Sequence, residues 1–132
     1  YEGSVWDQTY TYVRPQETGN KTDVRWMALS NGKIGLMAIG APTFDGSVHQ
    51  YPYEDLDHVR HGQKHGKLDI KPKDQVDWLI DYKQMGVGGD NSWGARPHKK
   101  YTLDPRPYNY SFLLVPFDAK DDLTHLSKLI ID

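Results

Sequence analysis

The residues most able to do chemistry lie in one stretch, Gln84-Met85-Gly86-Val87-Gly88-Gly89-Asp90-Asn91-Ser92-Trp93-Gly94. Four glycines in the nine positions from Gly86 let the backbone pass close to other groups and take turns that side chains forbid. Asp90, Asn91 and Ser92 can each return a side-chain oxygen to nearby N–H groups and so hold Trp93 in place. A positioned tryptophan offers a large flat face and one N–H donor, suited to stacking on a sugar ring or anchoring a partner surface. The same side chain can instead plug the end of a core, and both readings stand on the residues alone. His98, beside Pro97, is the next candidate for lining a site, or else caps a strand end. His58, His61 and His65 are spaced to share a helical face, as metal ligands would be. Gly62 and Gly66 weaken such a helix, so a surface loop is expected there and no metal site is assigned.

Other machinery is missing from the pattern. No two carboxylates announce a glycosidase acid/base pair, and Asp77 and Asp81 merely alternate with apolar strand positions. Neither a Gly-x-Ser-x-Gly elbow nor a phosphate loop is present, and Gly86-Val87-Gly88-Gly89 is followed by no helical pattern, which excludes a dinucleotide fingerprint. No catalytic residue is expected in this chain.

At 132 residues the chain can build one core. Sixteen basic against eighteen acidic residues give a net charge of −2 without blocks of like charge, which argues against nucleic acid as a partner. The lack of cysteine removes disulfides, thiolate nucleophiles and cysteine metal sites, and leaves the compartment open. No apolar run reaches the roughly 18 residues of a membrane span, so no membrane is expected and a soluble protein, cytoplasmic or periplasmic, is. The start at Tyr1 without Met fits an excised domain, and equally a trimmed terminus.

The elements that must position the loop read mostly as strands. Residues 10–13 form a short β-branched and aromatic run ended by Pro15. Residues 22–29 alternate, with Val24, Trp26 and Ala28 on one face. Asn31-Gly32 predicts a type I′ hairpin into a strand over 33–39, which Ala41-Pro42 should break before another strand over 43–51. Residues 52–59 suggest a short helix. Residues 75–82 alternate again and lead straight into the glycine loop, with 101–103 and 108–115 as later strands. About seven short strands separated by Gly/Pro turns predict an all-β antiparallel sandwich over 1–117. The leucines at 123, 126 and 129 with Ile130 predict a C-terminal helix in a tail of 118–132, its start favoured by Asp118, Asp121 and Asp122.

Three blocks then carry a resemblance: Tyr12-Val13-Arg14-Pro15-Gln16-Glu17-Thr18-Gly19-Asn20, Thr22-Asp23-Val24-Arg25-Trp26, and Asp81-Tyr82-Lys83 running into the glycine loop through Gly94. Together they resemble the C-terminal small-chain domain, or domain 5, of LacZ-type β-galactosidases of glycoside hydrolase family 2. The resemblance spans about residues 10–116, and the tail from Asp118 goes beyond where that domain usually ends. It implies the C-terminal half of a galactose-mutarotase-like supersandwich. It also implies an accessory role in hydrolysing β-galactosides such as lactose, with catalytic glutamates and the magnesium and sodium sites in other domains, chiefly the barrel. No cofactor is then expected here, and the isolated fragment should be inactive.

Trp93 is the residue the resemblance assigns to the substrate's aglycone. Asp90, Asn91 and His98 are weaker substrate-binding candidates, while Arg14 and Glu17 receive no role. Expected partners are the β-galactoside, the barrel and other domains of the parent, and further subunits of an oligomer. A free-standing carbohydrate-binding module and an inter-domain docking module remain the alternatives.

Overall fold

A computed structural model describes residues 1–10, 18–57, 70–91 and 93–129. Its strands are β1 (Lys21–Ser30), β2 (Ile34–His49), β3 (Asp77–Asp81) and β4 (Ser111–Asp118), and its helices are the single turns α1 (Glu54–Asp57) and α2 (Leu123–Leu126). The expected all-β class holds: one antiparallel sheet is organised on β2, with β1, β3 and β4 all pairing to that strand. Among the described residues there are four strands rather than about seven. Most of the run at 10–13, together with Arg14 and Glu17, lies outside the described residues, as do His58, His61 and His65.

Three expectations need correction. The run over 33–39 does not stop at Ala41-Pro42; β2 continues to His49 through a cis Ala41–Pro42 bond. Its ladder with β4 runs from Ile34↔Asp118 to Ala41↔Ser111, so the proline, which lacks an N–H, falls just past the last β4 partner. Residues 101–103 are not a strand, because Lys99–Tyr101 form a 3₁₀ turn in which Tyr101 N donates to His98 O at 2.8 Å. The hairpin at Asn31-Gly32 is not type I′, since only Gly32 has positive φ, at 87°. The Asn31 side chain closes it instead, its Oδ1 accepting from Lys33 N and Ile34 N at 3.0 Å each.

The chain divides into two compact units, Tyr1–Lys21 with Gly46–Ile80 and Thr22–Asp45 with Asp81–Asp132. The second is built on Met37, Ile39 and Phe117, with Leu113 and Val115 of β4 and Ala28 of β1 packed against them. Gly35 faces Phe117 in the β2–β4 register, and the Phe117 ring fills the space a Cβ would take. Leu123 and Leu126 cover the same cluster. Asp122 starts their helix, its carboxylate accepting from Thr124 N at 2.8 Å and His125 N at 3.3 Å. Among the described residues the helix predicted in the 118–132 tail is therefore a single capped turn, with 130–132 outside them. The opposite face of the β2–β4 pair leaves Ile34, Leu36 and Leu114 exposed.

The first unit buries Val48, Tyr51 and Ile70 together with the polar Ser47 and His49. The His49 ring packs against Tyr51 and Tyr53 at centroid distances of 5.2 and 5.6 Å. Gln50 O accepts from Lys73 N at 2.8 Å, and Lys73 pairs with Asp55 at 3.3 Å. The His49 Nε2 and Trp78 Nε1 atoms are buried without a hydrogen-bond partner among the described residues.

Candidate functional site

The glycine loop follows β3 in the chain. Gln84 N donates to Asp45 Oδ2 at 2.6 Å, and Gly86 N donates to Tyr101 O at 2.8 Å, so the outgoing and returning arms lie side by side. The glycines serve close approach more than unusual backbone angles. A Cβ on Gly89 would run into the Ala95 backbone, and one on Gly86 would press on Pro97 Cβ and Tyr101 Cβ at 3.2 Å each. Only Gly94 among them has positive φ, at 93°.

Asp90 and His98, eight residues apart, meet across the loop with Oδ1 to Nε2 at 2.7 Å. Both are well exposed, so the pair contributes under about 1 kcal/mol and acts chiefly as a latch on loop shape. Asn91 Oδ1 accepts from Trp93 N at 2.8 Å, the local turn that its residue type suggests. Between these two contacts Trp93 stands 91% exposed, which removes the core-plug reading within this chain. A bare indole on a latched loop is suited to stacking on an apolar ring face rather than to acid/base work. The strand-end reading of His98 also changes: its backbone starts the Lys99–Tyr101 turn while its ring latches the loop.

Beside the loop root Tyr82 packs against Tyr108 and Tyr110 at centroid distances of 5.1 and 5.8 Å, and Tyr110 against Phe112 at 6.0 Å. Arg106 lies over the Tyr108 ring at 5.3 Å, and its hydrogen bond and attraction to Tyr108 push its already high pKa further up. This aromatic strip links Tyr82, at the start of the outgoing arm, to the segment that leads into β4. Among the described residues no three His, Asp or Glu side chains gather as a metal site would need.

Asp45 is the residue the sequence did not single out. Its carboxylate is buried, Oδ1 accepting from Asp23 N at 3.1 Å and Oδ2 from Gln84 N. Phe44-Asp45-Gly46-Ser47-Val48 is a mixed stretch that gives no local signal for a buried acid, and the carboxylate is tolerated there because both its oxygens are hydrogen-bonded.

Residues 1–114 match the family model described as β-galactosidase small chain. A β-galactosidase of Priestia megaterium is 42% identical over 118 residues, which are 88% of this chain and 11% of that protein. One of Alteromonas mediterranea is 34% identical over 89% of this chain and 10% of its own length. One of Lactobacillus delbrueckii subsp. bulgaricus is 36% identical over 79% of this chain and 10% of its own length. The chain thus spans about a tenth of the length of these relatives.

Proposed function

We propose, because this chain belongs to the β-galactosidase small-chain family, that it is an accessory domain of a β-galactosidase acting on terminal β-D-galactosides such as lactose. In this reading the chain is the C-terminal half of a supersandwich, and its Trp93 loop forms the aglycone side of an active site whose catalytic glutamates lie elsewhere in the polypeptide. The reading assigns no catalytic residue, metal or cofactor to these 132 residues.

The observation that carries it is the exposure of Trp93 on a loop held at its root, across its arms and at its tip. An exposed indole costs solubility and gains nothing for the fold of this chain, and its presentation on a held loop fits a ligand that stacks on it. Asp90 and His98 belong to the latch and Asn91 to the tip, which makes their contribution to binding indirect. Stacking on one sugar face is worth on the order of 1 to 2 kcal/mol, so Trp93→Ala in the full-length enzyme should raise KM for lactose about ten-fold. Unchanged lactose kinetics in that variant would sink the assignment.

The exposed Ile34, Leu36 and Leu114 favour a second, compatible role, docking against other domains of the parent enzyme. A free-standing galactoside-binding module is separated from both by calorimetric titration of lactose into the isolated chain. The aglycone reading expects almost no heat of binding there, since half of a subsite holds little sugar.

A further inference from the structure

We infer that Asp45 is the positioning residue of the Trp93 loop: its buried carboxylate pins the loop root at Gln84 to β1 at Asp23. The contacts inside the loop, from Gly86 to Tyr101, Asp90 to His98 and Asn91 to Trp93, fix its shape. The Asp45 contacts fix where that shape sits on the sheet.

Asp45 is 5% exposed on β2 and spans 22 residues back to Asp23 and 39 forward to Gln84. Each oxygen accepts one backbone N–H, at 3.1 and 2.6 Å, and so both oxygens are engaged. Asp23 adopts φ 53°, the left-handed region that aspartate tolerates better than most residues. A carboxylate has two acceptor oxygens and an amide only one, so asparagine of the same size can hold one arm and must turn an NH₂ donor toward the other. The expected defect of Asp45→Asn is therefore a loosened loop on a standing sheet.

The kinetic part of this inference rests on Trp93 meeting the aglycone; the structural part does not. The test uses the full-length polypeptide as wild type, Asp45→Asn, Gln84→Pro and Trp93→Ala. Gln84→Pro removes the loop's donor and leaves Asp45 and Asp23 intact, so it carries the test if Asp45→Asn does not fold.

Two readouts are taken: amide hydrogen exchange over residues 84–94 against β1, β2 and β4, and KM and kcat for lactose. Asp45→Asn should speed exchange in the loop about ten-fold with the strands little changed. KM should rise roughly three- to ten-fold with kcat within about two-fold, and no further rise should follow when Asp45→Asn is added to Trp93→Ala. Faster loop exchange with KM unchanged in every variant, Trp93→Ala included, supports the positioning role and refutes the aglycone reading. Loop exchange unchanged in both Asp45→Asn and Gln84→Pro overturns the inference. So does exchange accelerated equally in loop and strands, which is the mark of general destabilisation.

Discussion

At the scale of single residues, His49 is the group whose environment makes a measurable statement about stability. Burial disfavours its imidazolium, Lys21 adds to that, and Asp77 opposes it more weakly, so its pKa lies below the ordinary value near 6.5. Its Nε2, without a hydrogen-bond partner among the described residues, fits a ring held neutral. The unfolded chain takes up a proton near the ordinary value while the folded chain resists until lower pH. The stabilisation is therefore complete above about pH 6.5 and is lost as pH falls toward the folded value. Urea unfolding at pH 7.5 and pH 5.0 should show the wild type losing more stability than His49→Phe, which keeps a ring and removes the titration. Equal losses in the two proteins would mean that His49 is not held neutral by the fold. Trp93 could be picked out from its neighbours in sequence, but His49 could not, because its surroundings come from residues that only folding brings together.

At the scale of elements, the β2–β4 pair depends on Gly35 having no side chain. A Cβ there would meet the Phe117 ring and stand 2.5 Å from Leu29 O, and Phe117 is in the core while Leu29 O is backbone, so neither can step aside freely. Gly35→Ala should lower unfolding free energy by about 1 to 3 kcal/mol, read as a lower urea midpoint at unchanged m. Gly88→Ala, with nothing within 4 Å of its Cβ, is the control and should stay within about 0.5 kcal/mol. A Gly35→Ala midpoint equal to that of the control would show that the sheet opens without cost.

Alternation, apolar runs and turn residues revealed β1, β3, β4 and both halves of β2, missing only the continuity of β2 through Ala41-Pro42, because strand patterning extends over several residues. They failed at 101–103, where three residues are too few to separate a strand from the 3₁₀ turn that Tyr101 N closes onto His98 O. The turn at the loop's tip could be read from Asn91 and Trp93, whose contact is local. The loop's anchorage could not, since Asp45 reaches its partners across 22 and 39 residues and no local spacing encodes such a contact.

At the scale of the molecule, a chain about a tenth as long as its relatives leaves Ile34, Leu36 and Leu114 partly exposed on a sheet face where Ala38 is buried. Ile34 is 64% exposed and Leu114 45%, both on the side of the β2–β4 pair away from Met37, Ile39 and Phe117. Water is displaced from exposed apolar side chains most favourably by another apolar surface. If the proposed parent β-galactosidase provides that surface, the purified chain should not hydrolyse a chromogenic β-galactoside by itself, but should restore hydrolysis when mixed with the remaining polypeptide. Ile34→Lys with Leu114→Lys should weaken that restoration at least ten-fold in the chain concentration needed, while leaving the chain's own unfolding free energy within about 1 kcal/mol because both side chains are partly solvated. Equal restoration by the variant would assign docking to another surface. Restoration by the wild type that Trp93→Ala abolishes at low lactose and recovers at high lactose would separate the loop's part in binding from the sheet's part in assembly.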